Sequence, residues 1–344
     1  MTIHVKGIRR MRTIHLPQHD GPRNPAPLAA AISASTLPKE DPMPYVAFDQ
    51  RTPDAQYRDL LRRILEEGED VPSSHGVPAR RIIGYLIRFR LANGFPIITE
   101  RDLVSPPPSG TRPSQFNQAL GEICAFLNGA QTQAELEGFG CHWWTEWVSE
   151  TNAAKHGLPP GDLGPASYGA AFRRFPTSEG LPFDQIAALI AQIKEAPYLR
   201  YHEVTPWIPQ YLLRPDRRAA VPPCHGWFHV HINGAGELTL SHRQRSADAP
   251  VGLVFNFIHY AALTLMIAHV TGYRPKDLVY YLDDVHIYHN QFAHVEQMLA
   301  TEPQRFPAVT IDRSVTNIFD FRPHHFVVAD YYPRLPRLRI PTPL

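Results

Sequence analysis

From about residue 46 onward, apolar positions recur with two periods, and these sketch the elements. Tyr57, Leu60, Leu61, Ile64 and Leu65 fall at helical spacing, with Thr52-Pro53 as the expected cap and first helical residue and Gly68 as the stop. Residues 82–91 alternate loosely and read as a strand. Gly94-Phe95-Pro96 then turns into a second short apolar run. Phe116, Ala119, Leu120, Ile123 and Leu127 form one face of a helix ending at Asn128-Gly129, and Glu122 lies beside that face. Residues 184–195 predict another amphipathic helix. Residues 204–213 and 227–232 read as strands, Asn233-Gly234 as a hairpin turn, and residues 237–243 as the returning strand. Residues 254–270 are nearly all apolar, with Asn256, His259 and Tyr260 near the start, which predicts a buried helix rather than a membrane span. A strand over 278–281, a helix over 291–300 and a strand over 326–329 complete the series. Helices and antiparallel strands mix without regular βαβ alternation or internal repeats, so the expected class is α+β.

Composition changes this picture at one end. Pro17, Pro22, Pro25, Pro27, Pro38, Pro42 and Pro44 crowd the first 45 residues, which show little periodicity. They read as a proline-rich extension, residues 1–45, to a single domain over 46–344. A hydrophobic fraction of 43% suffices for a sizeable core. The net charge of +1 gives no global field toward nucleic acid or membrane, so neither is expected as a partner, and anions must be held by local arginines. Three cysteines, Cys124, Cys141 and Cys224, form no CxxC pair. With no apolar leader, a reducing, cytoplasmic setting is expected. The 18 histidines and the cysteines suggest no ligand cluster, so no metal is expected.

The candidate chemistry centres on Pro222-Pro223-Cys224-His225, followed by Arg245-Ser246-Ala247-Asp248 on the next turn and then by Asn256. A free cysteine is either a small core residue or a nucleophile. A neighbouring cation such as Arg245 lowers a thiol's pKa and can clamp an anionic group. Glu122, an acid on an apolar helix, is either a rim residue with its carboxylate in water or, if buried, a group that holds or relays a proton. Asn256 is either a helix cap or an amide that offers a ligand a donor and an acceptor together. His286 and Tyr288, two apart, share one face of an extended segment.

In order along the chain stand GFPIITER, GEICAFLNGA, GDLGPASYG, PPCHGWFHVHINGAGELTLSHRQRSADAPVGLVFNFIHY, DDVHIYHNQ and EPQRFP. This set, from about Tyr57 to about Pro336, resembles the thymidylate synthase family, which includes the pyrimidine-nucleotide hydroxymethylases. The resemblance implies a large mixed sheet covered by helices and a homodimer packed sheet against sheet. It implies one-carbon transfer from 5,10-methylenetetrahydrofolate to C5 of a pyrimidine nucleoside monophosphate, most simply dUMP to dTMP. A 5-hydroxymethylase of phage DNA-modification or natural-product type is the alternative. A non-catalytic nucleotide-binding relative is a further one. By resemblance Cys224 is the nucleophile that adds to C6, and Glu122 and Tyr168 belong to the proton network. Gln244 and Asn256 lie on the base, Arg245, Ser246 and Arg200 on the phosphate, and His286 and Tyr288 on the sugar. Asp248, Trp144 and Asp283 lie on the folate side.

The chain departs from the family pattern at several of these positions. Ser74, in Ser73-Ser74-His75-Gly76-Val77-Pro78, takes the place of a phosphate arginine, and Tyr201 that of Arg200's partner. Either Arg80 or Arg81 compensates, or the substrate carries its charge elsewhere. Leu282 and Asp283 replace small residues, Thr145 replaces an aspartate, and the tail from Arg337 to Leu344 is long and proline-rich.

Overall fold

The computed structural model describes residues 45–343 apart from 214, 215 and 217. The expected extension therefore lies, but for Tyr45, outside the described residues. The strands are β1 (Glu69–Val71), β2 (Ala79–Arg90), β3 (Glu203–Val204), β4 (Trp227–Ile232), β5 (Glu237–Asp248), β6 (Arg274–Tyr288), β7 (Ala308–Ile311) and β8 (Phe326–Ala329). The helices are α1 (Gln56–Glu67), α2 (Gln115–Leu127), α3 (Gln133–Gly138), α4 (Glu150–Ala154), α5 (Tyr168–Arg173), α6 (Gln185–Glu195), α7 (Pro209–Leu212), α8 (Gly252–Thr271) and α9 (Phe292–Leu299). The fold is α+β. A six-stranded mixed sheet runs β1-β2-β6-β5-β4-β3, and β7 and β8 pair separately.

The sheet is antiparallel except where β5 meets β6 in parallel. Two parallel neighbours need a long crossover, and α8 supplies it. Its residues from Leu253 to Ala268 are all buried, so it has no polar face. A helix apolar on every side belongs inside a core. Here α8 lies on β5 and β6, with α2 and α6 packed against it. Each fully buried Leu or Ile on it contributes about 1.5–3 kcal/mol through area removed from water. It stops at Gly272, whose left-handed φ of 82° a side chain would resist. At the opposite edge α1 covers β2 and β6. The sheet's other side leaves Ile83, Leu86 and Tyr281 exposed.

Several local expectations are corrected. Helix α1 starts at Gln56 rather than at Pro53. The amide and hydroxyl of Thr52 are bound to Asn93 Oδ1, and Asp54 Oδ1 accepts the Gln56 N–H instead. The strand expected over 204–213 ends at Val204. Pro206 lacks the N–H a ladder needs, and Pro209 opens α7. The short apolar run after Gly94 is, as its pattern implies, buried, and it is coil. β5 continues past 243 to Asp248, so Arg245, Ser246 and Asp248 sit on a strand between β4 and β6 rather than on a turn. β6 likewise extends to Tyr288 and carries His286.

Candidate active site

The site gathers at the end of β5, where the loop before β4, the starts of α5 and α8, the middle of α2 and the end of β6 meet. The loop is pinned to β5 by backbone. Cys224 O accepts the Arg245 N–H at 2.7 Å, and the Cys224 N–H donates to the Tyr168 hydroxyl at 2.8 Å. The Arg245 side chain then wraps the loop. Nε reaches Pro223 O and Nη2 reaches Pro222 O, each at 3.2 Å, and Nη2 lies 3.5 Å from Cys224 Sγ. Tyr168 is held between the rings of Phe126 and His225, 4.7 and 4.3 Å away. These contacts fix the position of the sulfur; Cys224 as a residue is partly accessible, whereas Cys124 and Cys141 are buried.

The thiol does not have the depressed pKa expected of a cysteine beside a cation. Burial pushes it above the ordinary value, and Arg245 and the Tyr168 hydroxyl offset only part of that. Burial likewise raises Tyr168 well above the usual phenol range, so it stays a neutral hydroxyl. The guanidinium therefore restrains a penalty rather than creating a standing thiolate.

Behind the sulfur lies a connected polar cluster. Tyr280 donates to Gln244 Oε1 at 2.6 Å, and Gln244 Nε2 donates to Ser246 O at 3.0 Å and to Asn256 Oδ1 at 2.9 Å. Asn256 Nδ2 faces His259 Nδ1 at 3.3 Å, and His259 Nε2 lies 3.0 Å from Glu122 Oε2 without hydrogen-bond alignment. Glu122 Oε1 accepts from the indoles of Trp143, at 2.9 Å, and Trp144. Glu122 is 6% exposed, so it is not a rim acid. His225 and His242 pack around Tyr260 in the same interior, and burial drives both imidazoles well below their ordinary pKa.

On β6, His286 Nδ1 meets Asp284 Oδ1 at 2.7 Å, and its ring lies edge-on to Tyr288 at 5.0 Å. Burial lifts the Tyr288 hydroxyl to about 12. Asp248 accepts from Gln291 Nε2 at 3.0 Å and from the Val251 N–H, and burial raises its carboxyl to about 6. The same Gln291 Nε2 donates to Pro341 O at 2.8 Å, so the C-terminal tail runs beside Asp248.

Of the residues expected at the site, the structure brings together Cys224, Tyr168, Arg245, Ser246, Gln244, Asn256, Glu122 and Trp144, with Asp248, His286 and Tyr288 at the adjoining strand ends. It does not bring in Asp283, which turns to exposed Arg243 and bonds it at 2.7 Å. Arg200 is exposed on the loop before β3, and no bond ties it to the cluster. Arg80 and Arg81, the candidates to replace the arginine missing at Ser74, are both paired with carboxylates. Arg80 is held by Asp70, and Arg81 by Glu69 and Asp284. The Ser74 loop instead sets His75 edge-on to Trp147 and Tyr288, at 6.2 Å from each.

His259, Trp143, Gln291 and His75 were given no role in the sequence reading. His259 left a signal, since its three-residue spacing from Asn256 puts both on one helical face. Gln291 left none, because its partners are 43 and 50 residues away. Comparison with known protein families finds a match over residues 55–342 to the model described as "Thymidylate synthase".

Proposed function

The chain belongs to the thymidylate synthase family, and with that as premise we propose that it methylates C5 of a uridine nucleotide, most simply dUMP to dTMP. Family membership itself implies folate-dependent one-carbon transfer to a pyrimidine C5. The observation that carries the finer reading is Cys224, a partly accessible residue whose Sγ lies 3.5 Å from Arg245 Nη2, beside the strand whose Gln244 holds the Asn256 amide.

The chemistry follows from those positions. A pyrimidine C5 is a poor nucleophile while the ring is conjugated. Addition of the Cys224 sulfur to C6 forms a C–S bond and sends the ring electrons toward C5 and O4. Arg245 and Ser246 hold the nucleotide phosphate, and that anion's arrival changes what the guanidinium screens. Glu122, braced by two indoles, passes protons at the O4 and C5 edge, and Tyr168 orders the sulfur from behind. When bound, methylenetetrahydrofolate supplies the one-carbon unit and, for a methyl product, the hydride. Asp248 suits it, because a carboxylate at the strand end can accept N–H groups of a pterin, and Trp144, bound to Glu122, offers an aromatic ring. Asp283, engaged by Arg243, does not suit it.

His286, oriented by Asp284, and Tyr288 are placed for the sugar. The tail beside Asp248 favours exclusion of water, hence hydride transfer over hydration. The second reading is a 5-hydroxymethylase, favoured by Ser74 and Tyr201 standing where phosphate arginines are expected. A homodimer would cover exposed Ile83, Leu86 and Tyr281 and present the partner's phosphate arginine.

Incubation with 5-fluoro-dUMP and methylenetetrahydrofolate, read by peptide mass spectrometry, tests the proposal. A ternary adduct at Cys224 is expected, and in a parallel reaction with dUMP the methylenetetrahydrofolate should be converted to dihydrofolate. Tetrahydrofolate release with a CH2O gain on the nucleotide would overturn methylation. No adduct with any fluorinated uridine nucleotide would overturn the covalent reading.

A further inference from the structure

Gln291 is fully buried at the end of the short turn that follows β6, and its amide has one possible orientation. The Tyr288 N–H can only donate, so Oε1 must face it, at 2.9 Å. Pro341 O can only accept, so Nε2 must face it, at 2.8 Å. The second hydrogen of Nε2 goes to Asp248 Oδ2, at 3.0 Å. Turned over, the amide would set donor against donor and oxygen against oxygen at these contacts. The other carboxylate oxygen, Asp248 Oδ1, accepts the Val251 N–H. Both oxygens are thus held by donors, which fixes the plane of the carboxylate, and each keeps a second lone pair for a ligand.

The C-terminal tail has few other polar ties. Leu335 O accepts the Asp102 N–H at 2.9 Å, and Leu338 and Ile340 rest on the core. Beyond Leu335, Pro341 O is the tail's one hydrogen-bonded backbone group among the described residues. Pro336, Pro341 and Pro343 lack an N–H and have a fixed φ, so the segment loses little freedom on lying down. One well-made bond therefore decides where the end of the tail rests.

We propose that Gln291 is a positioning residue for the folate side, which orients the Asp248 carboxylate and latches the C-terminal tail to it. The folate half rests on the functional reading above, whereas the latch stands on the chain's own contacts. Every partner in it is an atom of the chain, so the tail lies at Asp248 before a ligand arrives. The N–H groups of a pterin then meet a carboxylate already turned toward them, beside a tail already in place. No covalent bond changes.

The test compares full-length wild type, Gln291→Met and Gln291→Glu. Methionine keeps the length and removes the amide. Glutamate keeps the shape and an acceptor for the Tyr288 N–H, but as a carboxylate it donates to neither Asp248 nor Pro341. Trypsin reads the latch with no ligand added, by the rate of cleavage after Arg337 and Arg339. Wild type should be cut there at least about tenfold more slowly than a free peptide of residues 331–344, because cleavage needs the tail to lift. Each variant should be cut roughly two- to tenfold faster than wild type, the worth of one hydrogen bond. The KM for methylenetetrahydrofolate should rise by a similar factor, while the alkylation rate of Cys224 stays unchanged. Either variant, folded and cut at the wild-type rate, would overturn the latch. So would a wild type cut as fast as the peptide, which keeps the test decisive if neither variant folds. Faster cleavage with an unchanged folate KM would overturn the coupling to Asp248. A wild type with no folate turnover would sink the functional reading, and the trypsin comparison would still decide the latch.

Discussion

Replacing Arg245 by glutamine removes the guanidinium that lies 3.5 Å from Cys224 Sγ while leaving an amide to serve the Pro222 and Pro223 carbonyls. Unit charges at about 4 Å attract by about 1 kcal/mol with water-like screening and about 4 kcal/mol near a protein surface. Cys224 is partly accessible, and the Pro222 carbonyl shares the guanidinium, so the lower part of that range applies. At about 1–2 kcal/mol, the thiolate population at fixed pH should fall by roughly 5- to 30-fold. Alkylation by iodoacetamide reads this directly. Cys124 and Cys141 are buried, and burial raises Cys124 to about 12, so the label reports Cys224. The wild-type rate should still be climbing at the ordinary thiol pKa, because burial holds Cys224 above it and the thiolate gains as pH rises. Below the thiol's pKa Arg245→Gln should alkylate at least about fivefold more slowly, the low end of that Coulomb estimate, the two rates should converge above it, and Arg245→Lys should recover most of the rate. Equal rates in wild type and the glutamine variant across the pH range would refute the electrostatic role of Arg245.

Two further outcomes follow from the geometry. The folded-state carboxyl of Asp248 is raised to about 6, mainly by burial, so the native chain holds a proton there that the unfolded chain releases. Its contribution to stability is full below the ordinary carboxyl range and is lost as pH rises through about 6. Asp248→Asn should therefore raise Tm at neutral pH more than in mild acid, and an equal change at both would refute the linkage. Gly68 ends α1 with no room for a methyl group, since a Cβ would run into Ile64 O and stand 2.7 Å from Arg80 Cγ. Gly68→Ala should cost about 1–3 kcal/mol, measured by urea unfolding, and an unchanged midpoint would contradict the crowding.

The long helix α8 was legible because seventeen successive positions offered almost no polar face, and only a core accommodates that. β4 was legible from its alternation and the Asn233-Gly234 turn. The 204–213 segment misled because its apolar residues looked like a strand while Pro206 and Pro209 removed the ladder donors. Within the site, motif order pointed to Cys224, Arg245 and Asn256 as candidates, but local signals misjudged how they are held. Arg245 alone suggested a depressed thiol, and the dominant effect is the burial that only the packed loop creates. Asp283 looked like part of the site because it falls where the family pattern has a small residue on the folate side. Its carboxylate instead pairs with Arg243, a residue forty positions away.

The sequence by itself determined which segments had to be buried, because periodicity and side-chain chemistry are local properties of the chain. It also supplied the residue types the chemistry needs, in a recognisable order. The tertiary structure decided which partner each polar group meets. The Gln244–Asn256–His259 cluster forms only where Ser246 O, Tyr280 and Glu122 arrive from two strands and a helix. Hydrogen bonds act over about 3 Å, and only folding brings groups that distant in sequence within that reach.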